Sequence, residues 1–259
     1  MADFLDELAQ SAMERIKNGY YDTAMQVPTS PISLKRKILE SEHVPIIAEI
    51  KAASPSLGII RKNVKAENIA MAMENGGAIG ISVLTEPKHF GGSLAFLTEV
   101  RRAVKLPLLM KDIIVSPIQL KAASKTGANA ILLIEALFEK GYCECDVHDM
   151  IAQARSMNLE VLLETHSEEE FLSALNTSAD LIGINNRDLK TLKVDLRTTK
   201  RILRKVDPEG KVIVSESGIK TPADIRFLQE CGVHAFLIGS SIMMASDIEK
   251  KVKEFVTAL

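Results

Sequence analysis

The chain has 259 residues, 46% of them hydrophobic but only 4% aromatic, with no tryptophan. That length suits one large α/β domain whose core rests on Ile, Val, Leu, Ala and Met. A net charge of −2 argues against a basic surface built for nucleic acid, and no apolar run approaches the roughly 20 residues of a membrane span. The acidic start Met1-Ala2-Asp3-Phe4-Leu5-Asp6 lacks the basic region of an export signal, so the chain is expected to stay in the cytoplasm, with no membrane partner. Three cysteines cannot build a disulfide framework. Cys143 and Cys145 form a CxC pair with no second ligand pair near it, and read as reduced thiols.

In chain order, Phe4 to Ile16 reads as an amphipathic helix, with Phe4, Leu5, Leu8, Met13 and Ile16 near helical spacing. A loop containing Pro28 and Pro31 follows, then a short helix over Ile32 to Leu39. From Val44 onward, short apolar runs alternate with polar turns and helical stretches. The runs are Val44–Ile50, Ile79–Leu84, Pro107–Met110, Ala130–Ile134, Leu159–Leu163, Leu181–Ile184, Val212–Val214 and His234–Ile238. Rich in Ile, Val and Leu and without clean polar alternation, they read as strands of a parallel sheet buried on both faces. Between them, Ala66–Asn75 ends at Gly76-Gly77, Ser116-Pro117 starts a helix that stops near Gly127, and Thr221-Pro222 starts another that stops near Gly232. Ser167, Asp195 and Ser246 are further candidate N-caps. Eight strand–helix units predict a (β/α)8 TIM barrel, one domain over 1–259, with 1–43 as an N-terminal helical extension packed on it. A doubly wound sheet would show a glycine fingerprint after its first strand, where this chain has Glu49-Ile50-Lys51.

Barrel active sites lie at the C-terminal ends of the strands, so the residues there matter most. Successive strands run into Glu49 and Lys51, Thr85-Glu86, Lys111-Asp112, Glu135, Glu164-Thr165-His166, Asn185-Asn186-Arg187, Ser215-Glu216-Ser217-Gly218 and Gly239-Ser240-Ser241. A charge beside an apolar run is costly unless paired. Glu49, Lys51, Lys111, Glu164 and Glu216 meet only if the barrel closes. They would then form either a salt-bridge plug or an acid–base site, in which desolvation would lower a lysine pKa and raise a glutamate pKa. Ser217-Gly218 and Gly239-Ser240 follow the last two strands, the usual phosphate cradle of this fold.

These pieces resemble the indole-3-glycerol-phosphate synthases of tryptophan biosynthesis. The matching stretches are Ile47-Ala48-Glu49-Ile50-Lys51, Ser54-Pro55-Ser56, Ser82-Val83-Leu84-Thr85-Glu86, Phe90-Gly91-Gly92-Ser93, Lys111-Asp112, Glu164, Gly183-Ile184-Asn185-Asn186-Arg187-Asp188-Leu189, Ser215-Glu216-Ser217-Gly218-Ile219 and Phe236-Leu237-Ile238-Gly239. The resemblance spans nearly the whole chain. It implies a cofactor-free, metal-free carboxy-lyase that closes the ring of 1-(2-carboxyphenylamino)-1-deoxyribulose 5-phosphate, losing carbon dioxide and water. It also implies roles. Lys111 would act as the acid at the ketone, and Lys51, Glu49 and Glu164 would serve dehydration. Asn185 would hold the substrate hydroxyl and catalytic side chains, and Arg187 would orient a carboxylate. Glu216 and Ser217 would complete the polar ring, and Ser54, Gly218, Gly239 and Ser240 would hold phosphate. Phe90, Ile113 and Leu237 would line the substrate pocket. The division of acid and base work between Lys51 and Lys111 stays open.

Three positions depart from the family pattern. Ala52 and Leu57 stand where many members carry basic residues, and Ile113 where Phe is frequent, which leaves Phe90 as the main aromatic candidate. Altered substrate packing with unaltered chemistry is the expectation. Among the histidines His43, His89, His148, His166 and His234 no metal-binding spacing occurs, and His166 is read mainly as flanking the next helix. Asp112 is read as structural, pairing across the barrel mouth. Rival readings are a phosphoribosylanthranilate isomerase, which would need a cysteine where Glu49 and Lys51 stand, a regulatory pseudoenzyme, and a scaffold. The only partner expected is the phosphorylated small-molecule substrate, with the chain a monomer or weak homo-oligomer.

Overall fold

The computed structural model describes residues 3–23, 26–27, 31–189 and 191–259. Met1, Ala2 and Pro28 therefore lie outside the described residues. Eight parallel strands close into a barrel: β1 (Ile46–Ile50), β2 (Gly80–Leu84), β3 (Leu108–Lys111), β4 (Ala130–Ile134), β5 (Glu160–Thr165), β6 (Leu181–Asn185), β7 (Val212–Glu216) and β8 (Ala235–Ile238). Each pairs with the next, and β8 returns to β1 with Ile46 opposite Phe236. Helices such as Ala66–Asn75, Pro117–Thr126 and Pro222–Gln229 carry the chain back between strands.

The local start and stop signals act as their chemistry requires. Ser116 and Thr221 each form a reciprocal capping box, with Gln119 and Asp224, and each is followed by proline at the first helical position. Ser167 accepts from the Glu170 N–H. Before the last helix the cap is Asp247, one residue beyond Ser246, and its carboxylate accepts from the Lys250 N–H. Asp195 accepts from the Arg197 N–H, although Leu196 holds the cap position itself.

Strand alternation divides the core in two. Ala48, Ile81, Met110, Ile131, Leu163, Ile182, Ile213 and Phe236 face outward and pack under the helices. Ile47, Leu109, Leu132, Leu162, Leu181, Val214 and Leu237 face inward and fill the barrel.

The N-terminal extension grips the barrel at both ends. Helix α1 (Phe4–Lys17) lies at the C-terminal mouth, with Leu5, Leu8, Ala9 and Ala12 in the inner cluster beside Ile113 and Ile134. Its Arg15 is buried and donates to Glu86 Oε1 and Asp112 Oδ1, both at 2.9 Å. Tyr21 and Thr85 hydroxyls donate to the other oxygen of Asp112, at 3.0 and 2.6 Å. Asp112 thus pairs across the mouth, with an arginine of the extension. Helix α2 (Leu34–Leu39) sits at the opposite end. Ser33 and the Leu34 and Lys35 N–H groups donate to Glu160, the first residue of β5, and Leu34 occupies the space left by Gly80 at the start of β2. Only the first helix therefore covers the active-site side. Expected from Ile32, the second helix begins at Leu34, where the Ser33 side chain caps it.

Candidate active site

The inward half of the alternation continues past the apolar layers into the mouth. From Ile47 it reaches Glu49 and Lys51; from Leu109, Lys111; from Leu162, Glu164; from Leu181 and Gly183, Asn185; from Val214, Glu216; from Leu237, Gly239. All of these line one cavity of about 640 Å³. Ser54, Phe90, Ile113, Arg187, Ser217, Gly218 and Ser240 line it too, so every residue expected at the site converges there. Glu135 does not. It follows β4, turns away and accepts from Ser173 at 2.6 Å.

Two ionic groups organise the floor. Lys111 Nζ donates to Glu164 Oε2 at 3.0 Å and to Glu216 Oε2 at 2.9 Å. Lys51 Nζ lies 2.6 Å from Glu49 Oε1, as residues two apart on one face should. Asn185 Nδ2 donates to the remaining Glu164 oxygen at 3.0 Å. Two glycines make room for these carboxylates. A Cβ at Gly183 would stand 2.5 Å from Glu216 Oε1, and one at Gly239 would run into Glu49.

The electrostatics differ from the simple desolvation expectation. Burial acts to lower the Lys111 pKa, but Glu164, Glu216 and Glu49 together outweigh it and raise the value well above that of a free lysine. Lys111 is therefore held as the ammonium. Burial acts to raise Glu164, yet Lys111, His166 and Asn185 hold it below the ordinary carboxylate value. Glu216 goes the other way. Burial, joined by repulsion from Glu164 and Glu49, exceeds the pull of Lys111 and pushes it up to about 7. One cation shared between two carboxylates separates them into a firmly ionised group and a protonatable one.

The rim comes from four loops, those after β1, β6, β7 and β8. After β1, Ala53–Ser54 and Gly58–Ile59 form a two-residue antiparallel ladder around Pro55 and Ser56. Arg187 donates to Ser56 Oγ at 3.1 Å and to the Leu192 carbonyl at 3.0 Å, joining that loop to the one after β6. Arg61 donates to the Met243 and Ala245 carbonyls, tying it to the loop after β8. Ser217 and Gly218 both have left-handed φ, 67° and 88°. Gly239 caps the short helix Ser240–Met243, whose first N–H groups have no partner within the helix.

Several lining residues carry no signal of their own in the sequence. Phe4 and Leu8 reach the cavity from α1, and Leu192, Val194 and Met244 add an apolar rim. A helical apolar stripe tells that α1 packs, not that part of its face is left for a ligand. Phe90 and Ile113 form the wall of the cavity, with Ile113 almost fully buried.

The fold is shared with distant barrels. Thiamine phosphate pyrophosphorylase from Pyrococcus furiosus superposes with a TM-score of 0.60 at 18% identity, covering 86% of this chain and 96% of that one. N-acetylmannosamine-6-phosphate 2-epimerase from Clostridium perfringens gives 0.62 at 14% identity, covering 87% and 97%. Sequence relatives are much nearer. Indole-3-glycerol phosphate synthase of Methanocaldococcus jannaschii is 45% identical over 229 residues, covering 87% of this chain and 83% of the relative. That of Caldanaerobacter subterraneus is 44% identical over 221 residues, 84% and 82% of the two chains. That of Dehalococcoides mccartyi strain CBDB1 is 39% identical over 259 residues, 99% and 98%. The family model for indole-3-glycerol phosphate synthase matches residues 4–255. With that match extending from α1 to the last helix, the chain belongs to the indole-3-glycerol phosphate synthase family.

Proposed function

We propose that this chain closes the indole ring of 1-(2-carboxyphenylamino)-1-deoxyribulose 5-phosphate, releasing carbon dioxide and then water to give indole-3-glycerol phosphate. The observation that carries the reading is Lys111, a partly buried ammonium held by Glu164 and Glu216 at the inward end of β3. An ammonium has three N–H donors, and two are used here. The third is available to the ketone oxygen, where it polarises the carbonyl and delivers a proton as the ring carbon attacks. Glu164 stays ionised and faces the positive charge that develops on the anilino nitrogen. The Glu49–Lys51 pair, at the end of β1, serves the later loss of water, with Asn185 holding both Glu164 and a substrate hydroxyl.

Arg187 keeps free donors beyond its bonds to Ser56 and Leu192, and its planar fork suits the anthranilate carboxylate. Gly218, Gly239, Ser240 and Ser54 surround the phosphate position, where the Ser240 helix start and the Ser217-Gly218 turn offer backbone N–H groups to a dianion. Phe90, Ile113 and Leu237 pack the aromatic ring, and Ser217 and Glu216 close the polar side. No step needs a metal or an organic cofactor. Residues 1–43 act as one unit with the barrel, and the enzyme works in the cytoplasm as a monomer or weak homo-oligomer.

The test is direct. Purified protein is incubated with the carboxyphenylamino substrate and indole fluorescence is followed, with Lys111→Ala as control. Product from wild type and a loss of at least about a hundredfold in the variant are expected. A folded wild type that forms no product would refute the assignment, and a Lys111→Ala enzyme of unchanged rate would refute the assigned acid.

A further inference from the structure

His166 follows β5 immediately beyond Thr165, and its ring lies against the catalytic floor without lining the substrate cavity. Its Nδ1 is 3.4 Å from Glu170 Oε2, and that same oxygen accepts from the His166 backbone N–H at 2.8 Å. Glu170 belongs to the helix Glu168–Leu175, whose cap Ser167 accepts from the Glu170 N–H. The helix start therefore fixes Glu170, and Glu170 fixes the ring. The opposite nitrogen, Nε2, is buried without a hydrogen-bond partner and stands 3.5 Å from Glu164 Oε1. That oxygen already accepts from Asn185, while the other oxygen of Glu164 accepts from Lys111.

Resting on the reaction proposed above, we propose that His166 is a positioning residue. As an imidazolium between Glu170 and Glu164, it keeps the Glu164 carboxylate charged and aimed after Lys111 has given its proton away. The need follows from charge balance. When a proton passes from Lys111 Nζ to the ketone oxygen, the lysine becomes neutral and Glu164 loses its main counter-charge inside a buried site. A second cation a few tenths of an ångström beyond hydrogen-bond distance can close on Glu164 at that moment. The groups facing His166 are Glu164 on β5, Glu170 on the following helix and Glu216 on β7, with Lys111 behind Glu164. Burial acts to lower the imidazole pKa, but Glu170, Glu164 and Glu216 outweigh it and raise the value.

The experiment compares the pH profiles of kcat and kcat/KM for wild type, His166→Gln and Glu170→Gln, with histidine C2-proton NMR on the free proteins. The His166 signal is identified by its loss in the variant. Removing an opposite charge that favours the ionised carboxylate should move the acid limb upward by roughly one pH unit in His166→Gln, with kcat falling more than KM changes. Glu170→Gln should shift it in the same direction by less, and His166 should titrate above the other histidines. Superimposed acid limbs in an active enzyme, or a His166 that is neutral at pH 6, would overturn the role of His166 alone. A wild type without product would overturn the reaction and this role together.

Discussion

Glu216 meets Lys111 through one carboxylate oxygen only, at 2.9 Å, while its other oxygen is buried over Gly183 without a hydrogen-bond partner. A half-satisfied carboxylate is the one most easily protonated, and its raised pKa follows. The folded value of about 7 lies above the ordinary 4.5, so the folded state binds the proton more tightly. The contribution of this group to stability is full below the lower value and is lost as pH rises through the upper one. Urea unfolding of wild type and Glu216→Gln between pH 5 and pH 8 should show the wild-type advantage narrowing with pH. A constant gap would contradict this. Glu164 has the opposite sign: its folded pKa is lowered, so its contribution is present above the ordinary value and lost as pH falls below it.

Arg15 neutralises two buried acids, Glu86 and Asp112. Its truncation to Met should destabilise by about 3–5 kcal/mol, because the carboxylates stay buried without their cation. Asp112→Asn in the same background should restore part of the loss. Thermal denaturation of both singles and the double closes a mutant cycle, and additive effects would mean that Arg15 and Asp112 do not act as a pair.

Gly239 leaves the space that the Glu49 carboxylate fills. Gly239→Ala should displace the Glu49–Lys51 pair by about an ångström and lower kcat on the order of a hundredfold, with little change in melting temperature. The obstacle is the end of a side chain rather than backbone, so the fold should survive. An unchanged kcat would show that this pair is not needed where it stands.

Leu57 is half exposed at the cavity mouth, in a position where many relatives are expected to carry a base. Leu57→Lys should lower KM a few-fold, on the order of 1 kcal/mol for one exposed charge, and leave kcat alone. The gain should fade as salt is added. An effect on kcat with KM fixed would place this loop in the chemistry instead.

The barrel and its ring of acids and bases are visible in the sequence for the same physical reason. An apolar run long enough to cross the barrel marks its end to within one or two residues, and a Lys or Glu at that end is conspicuous. The capping signals of Ser116-Pro117 and Thr221-Pro222 are equally local. The relationships that join distant parts are not visible. Nothing in the helical pattern of the first helix singles out Arg15, yet it is buried against residues far along the chain. Gly183 lies inside a predicted strand and Gly239 reads as part of a phosphate cradle, and only the structure reveals the carboxylates resting on them. His166 reads as a helix-flanking residue beside the candidate cap Ser167, and its second nitrogen becomes meaningful only when Glu164 is seen beside it.

The straddling extension has a consequence for the order of assembly. Ser33 is tied to Glu160, and Arg15 to Asp112, across sequence separations of 127 and 97 residues. The stretch that leaves the ribosome early cannot be seated until β5 and the end of β3 have formed, so it must wait, apolar face uncovered, for its docking surfaces to be made. Pulse-labelled hydrogen exchange during refolding should therefore protect the central strands before either N-terminal helix. The beginning of this chain would then act as the closing clasp of the barrel rather than as its foundation.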